Sequence, residues 1–275
     1  MSSISVVIPS LNDARMLEHC LAAVAAQSRQ PDEVIVVDNG STDDTVAVAE
    51  AAGARVVSEP QRGVLRATAA GFNAARGDII GRLDADSRPA PDWVAHIERR
   101  FDADPTLTGL TGPGIFYGRG WWWRFFGQYI YIGGYFWFIG IIIGRVPVFG
   151  SNFALRREAW LDARTRIHLE DPRMHDDLDI SFALDPDAGV EHDRGLVVQV
   201  SARPFDDYSG LWRRVSWGFY GMRVGLSDVN WWRRRRRCAR GRKRRRAAQL
   251  EYARQRSRSI AQADPEGERD DRDAA

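Results

Sequence analysis

Cysteine is scarce in this chain of 275 residues, which holds only Cys20 and Cys238. They stand far apart without metal-type spacing, so neither a disulfide framework nor a cysteine zinc site is indicated, and a reducing compartment fits. The opening Met1-Ser2-Ser3-Ile4-Ser5 lacks the basic and apolar regions of a signal peptide, and a cytoplasmic location is expected. No G-x-x-x-x-G-K-S/T occurs and no G-x-G-x-x-G follows the first apolar run, so a P-loop or dinucleotide domain is unsupported. Gly112-Pro113-Gly114 has the wrong context for either, and His168, His175 and His192 show no H-x-x-x-H pairing. Acid is missing from Asn230 to Arg246, which carries eleven Arg or Lys, so the net charge of +2 hides a net-negative remainder.

The apolar content of 44% and charged content of 28% are those of an ordinary globular protein. The first half alternates short apolar runs with helical patterns. Ser5–Ile8, Glu33–Val37, Arg55–Ser58 and Asp78–Leu83 read as buried strands. Helices are expected over 14–27, from the S-x-x-D capping box at Ser41 to Gly53, and from Gly63 to Arg76. This order predicts a mostly parallel α/β sheet with ligands at the carboxyl ends of its strands. Pro9-Ser10, Asp38-Asn39 and Asp84-Ala85-Asp86 all fall on that rim. Further on, helices are expected over 91–101, 176–184 and 209–222, and strands over 107–117, 148–156 and 197–200.

Asp84-Ala85-Asp86 breaks an apolar strand into Ser87-Arg88-Pro89. Two carboxylates one residue apart suit a divalent ion that keeps waters and shares a diphosphate. Alone, such a triplet is ordinary turn chemistry. Asp38 at a strand end can accept the imide N–H of a uracil or the N1–H of a guanine; it can equally be a turn residue, with Ser41 a cap. On one rim with Asp84 and Asp86, the nucleotide reading is preferred. Arg62 and Arg66 are candidates for diphosphate oxygens or solvated helix-start charges. Asp176-Asp177-Leu178-Asp179 reads as first-turn acids or as a source of a general base.

These segments resemble the family-2 glycosyltransferases of GT-A fold. The carriers are Val6-Val7-Ile8-Pro9-Ser10-Leu11-Asn12, Ile35-Val36-Val37-Asp38-Asn39-Gly40-Ser41-Thr42-Asp43 and Gly77–Asp86. The match continues through Gly150–Arg157 and Asp176–Ser181 and covers roughly residues 4–185. The resemblance implies an inverting, metal-dependent enzyme using a nucleotide-diphosphate sugar. It implies donor contacts from Pro9, Asp38, Asp84 and Asp86, and Ser10, Asn12, Asn39 and Arg62 are expected to join them. Asp86, with Asp84 beside it, would hold Mg²⁺ or Mn²⁺, and Asp177 would be the catalytic base, Asp176 replacing the family's Glu. Arg213-Arg214-Val215-Ser216-Trp217 lacks the Q-x-x-R-W of processive synthases, which argues for transfer of a single sugar. A nucleotidyltransferase and a non-catalytic membrane or nucleic-acid adaptor are the alternatives.

Phe125 to Ile143 has no charge and many aromatics, with Trp121-Trp122-Trp123 just before it. A single membrane span here would separate Asp86 from Asp177, so three readings remain: a core helix, an interfacial segment, or a re-entrant hairpin at Gly133-Gly134. The interfacial reading is preferred because Tyr and Trp favour the headgroup boundary. Trp231-Trp232 and the arginine run likewise suit an anionic membrane, with a solvated tail second and nucleic acid last. The expected organisation is a GT-A domain over 1–210, with a nucleotide-sugar half (1–104) and an acceptor half (105–210) that includes the aromatic segment 116–146. A basic membrane-associating extension over 211–246 and a disordered tail over 247–275 follow. Anionic membrane contact is expected through 121–143 and 230–246, with a lipid-linked or glycan acceptor at the inner membrane face.

Overall fold

A computed structural model of the chain describes residues 1–118, 132–203 and 208–263. The strands are β1 (Ile4–Ser10), β2 (Glu33–Asp38), β3 (Arg55–Ser58), β4 (Ile79–Leu83), β5 (Arg88–Pro89), β6 (Gly109–Thr111), β7 (Gly114–Tyr117), β8 (Asn152–Arg156), β9 (Val190–His192) and β10 (Val198–Ser201). The helices are α1 (Ala14–Ala25), α2 (Thr45–Ala51), α3 (Val64–Ala74), α4 (Trp93–Ala103), α5 (Gly133–Ile143), α6 (Arg157–Ala163), α7 (Asp176–Ala183), α8 (Tyr208–Ser227) and α9 (Trp231–Ala263).

A seven-stranded sheet in the order β3-β2-β1-β4-β8-β6-β9 forms the centre. The pairs β3–β2, β2–β1, β1–β4 and β6–β9 are parallel, while β8 runs against both of its neighbours. The strands are apolar on both faces because helices cover both. Ile4, Val6 and Ile8 pack with Leu17, Leu21, Trp93 and Ile97 on one side; Val7, Ile35 and Val37 pack with Phe72 and Trp160 on the other. A three-stranded sheet, β5-β10-β7, flanks the site. The mostly parallel α/β architecture is the one the sequence predicts.

Local differences from the sequence reading have identifiable causes. The strand expected over 107–117 splits into β6 and β7, which belong to different sheets. Pro113 has no N–H for a ladder. At Gly112 a Cβ would collide with the Leu196 carbonyl, so the chain turns where no side chain fits. Helix α2 starts at Thr45 rather than at the Ser41 box, because the Ser41 hydroxyl accepts the Asn12 N–H at 3.0 Å. The strand expected from Val148 begins at Asn152.

Helix α5 runs unbroken from Gly133 and ends at left-handed Gly144 (φ 84°), whose N–H reaches the Gly140 carbonyl. Gly133 and Gly134 form the first turn of that helix; the residues that would lead into a hairpin there, 119–131 with Trp121–Trp123, lie outside the described residues. Among the described residues no helix is long and apolar enough to cross a membrane. The tail expected from 247 is helical as far as Ala263, since α9 continues the basic segment; 264–275 lie outside the described residues.

Part of the arginine run is engaged with the rest of the fold. Arg234 is buried and donates to the carbonyls of Ser181 and Phe182, at 3.0 and 2.9 Å. Arg145 donates to those of Ser181, Leu184 and Asp185. Together they satisfy carbonyls at the C-terminus of α7, where the helix dipole favours cations. Burial, and the nearby Arg234 charge, push the Arg145 pKa downward. Arg237 pairs with Asp185, and Arg245 with Glu191. The outer face of α9 keeps Arg233, Arg236, Arg240, Lys243 and Arg244 exposed.

Candidate active site

The parallel register sets Ser10 beside Asp38, and the antiparallel pairing of Leu83 with Asn152 brings Gly150-Ser151 alongside Asp84. These strand ends, the N-terminus of α7 and one face of α8 enclose a cleft of about 1530 Å³. Its walls include Pro9, Ser10, Arg62, Asp84, Asp86 and Asp177, six of the residues expected from the sequence.

At the centre lies Arg82, an arginine inside an apolar strand and 1% exposed. Its Nη1 donates to Asp84 Oδ1 at 2.5 Å and to the Gly150 carbonyl, and its Nη2 to Asp176 Oδ2 at 2.8 Å. Thr68 Oγ1 donates to the same Asp176 oxygen at 2.7 Å. The Gly150 N–H donates to Asp177 Oδ2 at 3.1 Å. One loop residue is thus clamped to Arg82 by its carbonyl and to Asp177 by its amide. Burial, and then the neighbouring Asp176 charge, hold the Asp177 carboxyl above the ordinary carboxylate range, against the opposing pull of His175 and Arg82. A half-buried carboxylate with raised pKa and an open side is suited to proton abstraction.

Asp84 and Asp86 differ in engagement. Asp84 is held by Arg82 on one oxygen and accepts the Ser151 hydroxyl on the other. Asp86 faces Arg203, whose Nη2 lies 3.0 Å from Asp86 Oδ2 while the guanidinium also makes a bidentate pair with Asp13. Burial and the Asp84 charge raise the Asp86 pKa to about 6, opposed by Arg203. Two close carboxylates, one of them reluctant to ionise, are the hard donor set a divalent cation relieves. Among the described residues no group of three metal-ligating side chains gathers. The pair therefore fits an ion whose shell is completed by a diphosphate and water.

Asp38, Asn39 and Asn12 stand behind the cleft. Asp38 Oδ1 accepts the Ser41 N–H at 3.0 Å. Asn39 donates to the carbonyls of Glu59 and Gln61 and accepts the Gly63 N–H, each at 2.8 Å, so its amide is spent on holding the Arg62 loop. Asn12, the one described non-glycine residue with positive φ (50°), accepts the Thr42 N–H at 2.7 Å. Ser10 Oγ is buried without a partner. Arg66 pairs with Glu170 on the surface. Asp176 and Asp179 are first-turn acids of α7, and both are buried: Asp179, 0% exposed, accepts from the His168 backbone and ring. The sequence reading missed Arg82, Asp13 and Arg203; an arginine in the run Ile79-Ile80-Gly81-Arg82-Leu83 was the available signal.

A family model for glycosyl transferase family 2 matches residues 5–163, more than half of the chain, and the chain belongs to that family. It is 39% identical over 115 residues to an uncharacterized glycosyltransferase of Mycobacterium tuberculosis, covering 40% of this chain and 50% of that one. It is 38% identical over 125 residues to glucosyl-3-phosphoglycerate synthase of the same species, covering 41% of this chain and 36% of that protein. These matches span half or less of each relative's length. Among solved structures, that synthase in complex with Mn²⁺, uridine-diphosphate and phosphoglyceric acid aligns with a TM-score of 0.57 at 21% identity, covering 80% of this chain and 78% of that one. A Pyrobaculum calidifontis mannosyltransferase in complex with GDP-Man and Mn²⁺ aligns with a TM-score of 0.62 at 20% identity, covering 97% and 76%. Both establish the fold, GT-A.

Proposed function

We propose that this protein moves a single sugar from a nucleotide-diphosphate sugar onto an acceptor hydroxyl, with inversion and with the help of a divalent metal. The observation that carries this reading is one cleft lined by the Asp84–Asp86 pair and by Asp177. Asp86, oriented beside Asp84, would hold Mn²⁺ or Mg²⁺. Bound there, the cation supplies neutralisation of charge growing on the leaving diphosphate. Asp177 takes the proton from the acceptor hydroxyl, and the Gly150 N–H fixes its carboxylate for that task. Arg62, exposed on the cleft wall just before α3, would meet diphosphate oxygens. The structural relatives named above bind Mn²⁺ with uridine-diphosphate or GDP-Man, in keeping with this donor chemistry. A thermal-shift screen of UDP- and GDP-sugars with and without Mn²⁺ tests it: a donor that binds only the folded chain raises its melting temperature by mass action. No stabilisation by any donor with metal, and no metal-dependent release of nucleoside diphosphate, removes the proposal.

We further propose a lipid-linked or cell-envelope acceptor, met at the cytoplasmic face of an anionic membrane. Trp137, Trp212, Phe219 and Trp232 are 70%, 74%, 58% and 67% exposed, and the outer face of α9 is cationic. Aromatic anchors beside basic charge are what such an interface retains. Co-sedimentation with phosphatidylglycerol vesicles but not with phosphatidylcholine vesicles is the expected result; equal binding to both, or to neither, overturns it.

A further inference from the structure

The acceptor end of the cleft carries cations that nothing in the described structure neutralises. Arg82 and Arg203, at the donor end, are each held by carboxylates. Arg213 and Arg214, on α8, line the same cleft exposed, and neither has a carboxylate within ion-pair distance among the described residues. Arg213 lies over the Trp217 ring at 5.9 Å, which leaves its fork open. Their turn of α8 abuts the base: His175 Nε2 lies 3.2 Å from the Arg214 carbonyl, and its ring 6.5 Å from that of Trp217. Two unpaired guanidiniums on the cleft wall shared with Asp177 favour an anion bound in the same cleft as the reacting hydroxyl, because guanidinium forks match phosphoryl oxygens.

Beyond the arginines the wall becomes apolar. Phe138 of α5 and Phe219 of α8 meet edge to face at 6.5 Å, both substantially exposed, and Ile139, Leu178 and Met222 continue the surface into the cleft. An aromatic pair left in water, set beside a buried apolar floor and next to charge of one sign, marks a site for an amphiphile.

We infer that the acceptor is a phosphate-bearing amphiphile. Its phosphoryl group sits on Arg213 and Arg214, its apolar chain lies along the α5–α8 wall, and its hydroxyl faces Asp177. This rests on the sugar-transfer reading and adds the chemical class of the second substrate. The test titrates octyl phosphate, octanol and inorganic phosphate, each in free solution, into the full chain with UDP and Mn²⁺, followed by calorimetry. Octyl phosphate is expected to bind at least tenfold more tightly than either of the others. In R213Q/R214Q it should weaken by roughly tenfold to a hundredfold, the worth of charge-assisted hydrogen bonds. In Phe219→Asp the apolar contribution is lost and octyl phosphate falls to the level of inorganic phosphate. Octanol binding as tightly as octyl phosphate, inorganic phosphate binding as tightly, unchanged binding in R213Q/R214Q, or no binding of any probe overturns the inference. If octyl phosphate binds only when presented in vesicles, the free-ligand site is likewise overturned in favour of a headgroup read at the membrane. Stabilisation by a nucleotide sugar is measured on the same samples; its presence with a failed titration removes only this inference, and its absence removes the sugar-transfer reading itself.

Discussion

The two ends of the cleft treat charge in opposite ways. At the donor end every described arginine of the rim except Arg62 is matched to carboxylates, and the chain's own hydrogen bonds fix the carboxylates in turn. At the acceptor end the arginines are unpaired and the wall is apolar. The first arrangement costs desolvation but specifies geometry, because a buried charge is tolerable only with its partners in place. The second leaves interaction free energy for a ligand to collect. On the proposed function, a site that would place a metal and a base accurately, yet admit a bulky acceptor, gains from both.

The largest effect expected from breaking this arrangement is at Asp177, the proposed base. Asp177→Asn should lower turnover by about 10²–10⁴-fold, read as release of nucleoside diphosphate in the presence of acceptor. It should also stabilise the free protein. Burial and Asp176 raise the Asp177 pKa in the fold, so its ionised form is disfavoured there relative to the unfolded chain. That cost is absent below the ordinary carboxylate range and grows as pH rises through the raised value. Calorimetry should therefore find the variant more stable at neutral pH, with the gain vanishing in acid. An unchanged melting temperature at neutral pH would remove the claim that the base is strained.

Next comes the arginine beneath it. Arg82→Met leaves Asp176 buried and uncompensated, and should cost ~3–5 kcal/mol in a denaturant titration. The double variant R82M/D176N removes both charges and should recover much of the loss. At the acceptor end, α8 approaches α7 through glycines one turn apart. A Cβ at Gly221 would meet Leu178 at 3.1 Å, and one at Gly225 would meet the Phe182 ring at 2.5 Å. Gly225→Val should cost ~1–3 kcal/mol by overpacking. Stabilisation by donor and metal should survive, because the strain falls on the acceptor wall alone.

The sequence disclosed the two ends unequally, for a physical reason. The donor rim is built from strand-to-loop junctions, and Pro9, Asp38 and Asp84–Asp86 announce themselves where a continuous apolar run breaks. Partners distant along the chain are invisible to that pattern. Arg203 reaches Asp13 across 190 positions, and Asp176 reaches Arg82 across 94. Asn12 and Asn39 sit in the motifs that suggest donor contact, and what their side chains do within the fold, accepting the Thr42 and Gly63 N–H groups, is not written in those motifs. The arginine run is divided by packing. Composition records its charge, but only packing separates Arg234, capping the helix that bears Asp177, from Arg233 and Arg236 on the outer face.

The smallest expected effect bears most directly on the donor end. Burial and Asp84 hold the Asp86 pKa near 6, so above that pH the free fold carries an ionised carboxylate that it stabilises poorly. The unfolded chain ionises the same group in the ordinary range. Asp86→Asn should therefore raise the melting temperature of the metal-free protein at pH 7 by the equivalent of about 1 kcal/mol. A tenfold change in proton affinity corresponds to ~1.4 kcal/mol, and solvent access on the open side of the cleft reduces the net cost. The gain should shrink as pH falls through about 6 and disappear below the ordinary carboxylate range. With Mn²⁺ and a nucleotide sugar the order should reverse, because the carboxylate that burdens the free fold is the one proposed to bind the ion. If Asp86→Asn is stabilising in both conditions, Asp86 is a strained carboxylate but no metal ligand. If it is destabilising in both, Arg203 and Asp86 form a structural pair, and the donor end is rigid for reasons unrelated to the cation.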